Sequence, residues 1–166
     1  MDKPEVFVRI VSHSHDANQV ENDLLSISNH GAIELEDERG LSWFTEAMVR
    51  DLANDWSQLQ GRHRAGTRLT TNIVLSIPVE IDPGLLRAAA LAFARRQFGS
   101  NHQYVVALHT GSATPNVQLT VLNLGHNGRR LHVKNGDPQA WREIFASELE
   151  RRGVEAQATL RTAREA

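Results

Sequence analysis

Three stretches of the chain bring together side chains able to do chemistry. In Ser12-His13-Ser14-His15-Asp16, two imidazoles stand at i and i+2 with a carboxylate behind them, a spacing that suits a metal. A structural reading competes: Asp16 opens the run DANQVENDLLSISN and serves as its helix cap, and an exposed His pair without a third ligand holds metals weakly. The segment therefore reads as a loop before a helix, with no metal. Residues 109–119, HTGSATPNVQL, end in strand alternation, with Asn116, Gln118 and Thr120 on one side and Val117, Leu119 and Val121 on the other. Two neutral amides side by side donate and accept hydrogen bonds, but offer no imidazole to a metal and no group for general-base work. Third, Arg129, Arg130 and Lys134 follow the turn signal Asn127-Gly128 and could meet phosphates. Arg95, Arg96, Arg151 and Arg152, at helix ends, are weaker candidates.

These residues need a scaffold, and the periodicity supplies one. Residues 5–11 are β-branched and aromatic and predict a first strand, 16–29 a helix stopped by Gly31, and 32–35 a short strand. Over 42–59, Phe44, Met48, Leu52 and Trp56 recur every fourth residue, predicting an amphipathic helix with that stripe in the core. Residues 60–67 read as a polar loop and 68–78 as a strand with Leu69, Thr71, Ile73, Leu75 and Ile77 on one face. Asp82-Pro83 caps an alanine-rich helix that runs to Phe98 and stops at Gly99, and Asp137-Pro138 repeats the device for a helix over 139–152. Between them lie strands at 103–110 and 116–124, whose connection is too short for a crossover helix, so the pair is antiparallel. The order β-α-β-α-β-α-β-β-α predicts a single α+β domain over 1–153, with a mainly antiparallel sheet of about five strands and helices on its faces. Residues 154–166 read as a weakly patterned tail, docked or frayed.

With 166 residues and 40% hydrophobic composition, one domain can bury a sizeable core. No run approaches a membrane span, the N-terminal MDKPEVFVRIV does not resemble a secretion signal, and Cys is absent, so the expectation is a cytoplasmic protein. The net charge of -2 hides an asymmetry: residues 1–86 hold 7 Lys+Arg against 14 Asp+Glu, and residues 87–166 hold 11 against 6. The second half is thus the one suited to an anionic partner.

Several of these residues fall in an order that resembles the plasmid mobilisation relaxases, HUH-type nucleases that include the nickase of T-DNA borders. They are Arg9-Ile10-Val11, Ser28-Asn29-His30-Gly31, the short strand around Ile33 and Leu35, Phe98-Gly99, His102 to Thr110, Pro115 six residues after His109, Asn123, and the segment from Leu149 to Arg164. The resemblance implies a signature His-x-Asp-x-x-His-Pro-His-x-His, whose histidines bind a divalent metal, and a helix Tyr that attacks the scissile phosphate and stays joined to the 5' end. In this chain His109 and Pro115 match that pattern, while Gly111 stands at the Asp position and Thr114, Asn116 and Gln118 at those of the later histidines. Ser26 stands where the Tyr belongs, and the chain's single Tyr, Tyr104, lies within a strand that is structural in the family. A serine hydroxyl attacks phosphorus only with a base or metal to activate it, and none adjoins Ser26 in sequence.

The reading that results is a degenerate relaxase homologue without catalytic residues, metal or cofactor, a DNA-binding accessory in plasmid or integrative-element transfer. Its nucleic-acid-binding residues would be His109, Thr114, Asn116, Gln118, Arg129, Arg130 and Lys134. Its partners would be transfer-origin DNA, single- or double-stranded, together with an active relaxase, another transfer protein or a second copy. Against it stands a protein-interaction scaffold that binds an active relaxase or a coupling protein without touching DNA, which the overall negative charge favours. A nickase using unconventional residues is a third, lesser reading.

Overall fold

A computed structural model of the chain describes residues 2–111 and 114–160. Its elements run β1 (Phe7–Ser14), α1 (Ala17–Ile27), β2 (Leu35–Asp37), β3 (Ser42–Trp43), α2 (Glu46–Gln58), β4 (Thr70–Ser76), α3 (Pro83–Phe98), β5 (Tyr104–His109), β6 (Asn116–Leu122) and α4 (Asp137–Arg151). The strands form one sheet in the order β1-β4-β6-β5-β2-β3, with every neighbouring pair antiparallel. The α+β class and the antiparallel β5-β6 pair are as the sequence predicts.

Strand alternation divides the core in two. Ile73 and Leu75 of β4, Tyr104 and Val106 of β5, and Val117, Leu119 and Val121 of β6 pack with Phe93 and Phe98 of α3 and Trp141 and Phe145 of α4. The opposite face sends Leu35, Val105, Ala107 and Leu122 against Val20, Leu24 and Ile27 of α1 and Val49, Leu52 and Trp56 of α2. Four edge-to-face contacts among Phe93, Phe98, Trp141 and Phe145, with centroids 5.4 to 6.4 Å apart, fill the α3/α4 layer.

Several expectations need correction. A sixth strand, β3, occupies Ser42–Trp43, which the four-residue spacing assigned to a helix; α2 begins at Glu46, capped by the Thr45 hydroxyl, which accepts from Met48 N. Phe44 therefore precedes the helix and is exposed, and Val49, Leu52, Ala53 and Trp56 form the buried stripe. The short strand predicted at 32–35 lies at Leu35–Asp37, because residues 28–31 finish α1 with a tight turn. β1 continues to Ser14, so His13 belongs to a strand rather than a loop. Leu69 precedes β4 and packs with α1 and α2, on the side opposite Ile73, Leu75 and Ile77. In α4, Asp137 is not the cap; its carboxylate accepts from Lys134 N at 2.8 Å, inside the turn that starts the helix.

The segment 154–159 docks on the domain. Gln157 bridges Glu5, Ala156 is buried, and Arg142 of α4 donates to Val6 O, Thr159 O and the Glu5 carboxylate. Residues 161–166 lie outside the described residues. Among the described residues no helix is long and apolar enough to cross a membrane.

Candidate functional site

The strand register places the amide face. Asn116 pairs with His109, Gln118 lies between Val74 of β4 and Ala107 of β5, and Thr120 lies beside Asn72. All three point to the α1 side, because Val117, Leu119 and Val121 are committed to the α3/α4 core. Helix α1 crosses this face. Asp23 accepts from Asn72 Nδ2 at 2.9 Å, and one turn later Ile27 O accepts from His109 Nε2 at 2.8 Å.

The second bond fixes the chemistry of His109. A carbonyl oxygen only accepts, so Nε2 carries the hydrogen and the lone pair of the neutral ring lies on Nδ1. Ser26 shares a cleft of about 360 Å³ with Asn29, Ile33, Leu108, His109, Thr110 and Gly111. The imidazole that lines the cleft with Ser26 is thus tied to the helix end through its Nε2–H. Asn116 is half-buried, and its Oδ1 is buried without a hydrogen-bond partner among the described residues. Asn72 is fully engaged, donating to Ser12 Oγ and Asp23 and accepting from Thr120 at 2.7 Å.

Burial pushes the Asp23 carboxyl above its usual range, and the bond from Asn72 offsets only part of this. A raised folded-state value means that Asp23's contribution is fully present below the unfolded pKa and is lost as pH rises through the folded one. Asp23→Asn is therefore expected to raise Tm at pH 7, with the gain shrinking as pH falls below about 4. Thermal melts at the two pH values check this, and a lower Tm at pH 7 would mean that the charged bond to Asn72 outweighs the burial.

Not every candidate joins this face. Thr114 is exposed in the loop before β6, of which residues 112–113 lie outside the described residues. Arg129, Arg130 and Lys134 sit past the far end of β6, which at about 3.3 Å per residue is roughly 20 Å from Asn116. There the chain folds back on itself: Leu131 N donates to Asn123 O and Gly125 N to Arg129 O, with Gly128 at φ +80° in the turn. Arg130 donates to Gln60 Oε1 at 2.7 Å, and Arg129 and Lys134 are exposed. The His13 to Asp16 segment is also apart: the His13 ring meets Thr70 O, the His15 ring meets Gly66 O and Thr67 O, and Asp16 caps α1 by accepting from Gln19 N.

Sequence reasoning missed two residues that do belong. Phe7 and Arg9 alternate with Val6, Val8 and Ile10, which enter the α3/α4 core, so they lie on the amide face, Arg9 opposite Val74. With Val11, Val74 and Ser76 they line an open groove of about 320 Å³, and the Arg9 guanidinium stands 5.9 Å from the Phe7 ring centroid. The alternation of residues 6–10 carried that signal, since Arg9 is the cation on the strand's outward face.

The family profile described as "Relaxase: MobA/VirD2-like, nuclease domain" matches residues 28–153. The chain belongs to this relaxase family. The match opens two residues past Ser26, so the pairing of Ser26 with the relaxase tyrosine rests on the resemblance alone. Among solved structures, a chain from work on the "Molecular Basis of Vancomycin Resistance Transfer in Staphylococcus aureus" covers 96% of this chain and 100% of its own, with a TM-score of 0.55. At 14% identity that likeness shows a shared fold. No curated protein matches the sequence.

Relaxases of this family imply a divalent metal on the amide face, and the side chains here do not fit one. Asn116 and Gln118 offer only amide oxygens, and His109, whose Nε2–H is bonded to Ile27 O, adds at most the single nitrogen Nδ1. Among the described residues no group of three His, Asp or Glu side chains is placed to hold an ion.

Proposed function

We propose that this relaxase homologue is a non-nicking, DNA-binding accessory of mobilisation, which holds a DNA strand on the α1 face of its sheet. The observation that carries the reading is the open groove beside Phe7 and Arg9, on the same face as Gln118, which lies opposite the groove residue Val74. A base can pack against the half-buried Phe7 ring while the Arg9 guanidinium meets its phosphate, and the Gln118 amide on the neighbouring strand can bond a base edge. Nicking needs a nucleophile, a base and a Lewis acid. Ser26 shares its cleft with His109, but the amide face lacks the imidazole ligands for a metal that would serve as the Lewis acid.

Supercoiled plasmid carrying the cognate transfer origin, incubated with the protein and Mn²⁺, is expected to stay supercoiled. Labelled single-stranded oligonucleotides from that origin are expected to bind, with affinity falling as salt rises. Arg9→Ala and Gln118→Ala should each weaken binding about 3- to 10-fold, and Arg9→Ala should also lower the salt slope by about one. A covalent adduct on a 5' phosphate would overturn the non-nicking part. No binding of single- or double-stranded DNA at low salt would shift the reading to a scaffold for other transfer proteins.

A further inference from the structure

On the opposite face, at the far end of the strands, lies a second cleft that a β-bulge helps to build. Pairing of β1 with β4 shifts between Ile10 and Ser12, so that Arg9 lies opposite Val74 but His13 opposite Thr71. Unbroken alternation would keep His13 on the side of Phe7 and Arg9; the extra residue turns it to the other face. There the fold-back after β6 brings up Arg130 and His132, and the loop before β4 brings Arg68. His13, Arg68, Thr71, Asn123, Arg130 and His132 line an open cleft of about 360 Å³.

The cleft's charge is one-sided. Among the described residues no Asp or Glu lines it and no ion pair engages Arg68, Arg130 or His132. Arg130 is held by neutral acceptors, with Nη1 on Gln60 Oε1 at 2.7 Å and Nη2 on Gln60 O at 3.4 Å, which orient the guanidinium without cancelling its charge. The wall is fixed likewise: Thr71 donates to Asn123 Oδ1 at 2.7 Å and Asn123 Nδ2 to Arg68 O at 3.1 Å. Two guanidiniums and two imidazoles that converge on one opening without a carboxylate match the requirements of a phosphate group.

We propose that this cleft is a phosphate-binding site in which Arg68 and Arg130 supply the charge and His13 and His132 complete the donor set. The site is separate from the amide face, so it goes beyond the strand-holding role proposed above and gives the domain a second anion contact on its other side. The ligand is a phosphate borne either by a nucleic-acid backbone or by a small molecule. Burial holds the His13 imidazole below its ordinary value against the bond to Thr70 O, and Arg68 and then His15 add to the depression. A phosphate among these groups acts in the opposite sense and draws the imidazole toward its charged form.

The test is an NMR titration of the full chain, following the His13 and His132 ring signals, first with inorganic phosphate and then with a short single-stranded oligonucleotide. Saturable shifts of both rings are expected, with a rise in the His13 titration midpoint. Arg68→Gln, an exposed position, and His132→Gln should each weaken the response about 5- to 10-fold. Response to phosphate alone marks a small-molecule ligand. Response to the oligonucleotide, with a salt slope that Arg68→Gln lowers by about one, marks a strand backbone. Either result supports the site. Rings that move with neither probe, or shifts that persist unchanged in Arg68→Gln, overturn it. Phe7 signals report the amide face in the same spectra, so failure of the strand-holding reading shows there while the His13 and His132 readout still decides the cleft.

Discussion

Replacing Gly31 by alanine is expected to lower folding stability by about 3 kcal/mol or more, with Tm falling by about 10 °C in a chain of this size. Gly31 has φ +89° and follows Asn29 at +46° and His30 at +54°, so α1 ends in three successive left-handed residues. His30 N reaches back to Leu25 O at 2.8 Å and Gly31 N to Ser28 Oγ at 3.1 Å, which closes the helix end. A Cβ at Gly31 would lie 2.3 Å from both Glu46 N and Thr45 C, backbone atoms at the start of α2. Backbone cannot swing aside as a flexible side chain can, so α1 and α2 must separate or the turn must unwind. Gly40→Ala is the control: φ there is +82°, but nothing lies within 4 Å of its added Cβ. It carries only the conformational cost, about 1 kcal/mol. Chemical denaturation of the two variants separates steric from conformational strain, and equal losses would refute the close-approach argument. The same turn carries Ile27 O over His109, so Gly31→Ala should also loosen the bond that occupies Nε2.

The elements the sequence reveals are those whose local signals agree with their tertiary surroundings. Asp82 with Pro83 and Gly99 bracket α3 because cap, ring and stop are local chemistry, and the β5-β6 pair follows from a connection too short to cross over. The strand β3 was hidden because Phe44, Met48, Leu52 and Trp56 repeat at helical spacing, while the strand's cause is a side-chain-closed turn that periodicity does not register. Asp37 accepts from Arg39 N, Leu41 N and Trp43 Nε1, closing a turn that pairs Leu35 with Trp43. At the site, alternation correctly put Asn116 and Gln118 on one face. It could not show the bulge in β1, since an inserted residue leaves no mark in composition, and so His13 was not placed beside Arg68 and Arg130. Nor did a basic run after Asn127-Gly128 reveal its direction. The fold-back at Gly128 carries Arg130 to Gln60, away from the amides it was grouped with.

Glu148→Gln is expected to cost about 2 kcal/mol at neutral pH, and the cost is expected to shrink as the solution is acidified. Glu148 lies on α4 with its side chain 3% exposed; one carboxylate oxygen accepts from Arg96 of α3 at 2.7 Å and the other from Arg152 at 2.9 Å. Breaking a buried ion pair costs about 3 to 5 kcal/mol when both charges are buried. Arg96 and Arg152 keep 45% and 28% exposure, so water takes up part of their lost interaction and the smaller figure applies. Burial by itself raises the Glu148 carboxyl, but the hydrogen bonds from Arg96 and Arg152 outweigh it and hold the group below the usual carboxylate range. A depressed folded-state value gives stability that is present above the unfolded pKa of about 4.3 and is lost as pH falls through the folded one. Urea unfolding of the wild type and Glu148→Gln at pH 7 should therefore show a gap in midpoint that narrows steadily below about pH 4. A gap constant with pH would mean that the glutamine's loss comes from packing between α3 and α4 and not from the charge it removes.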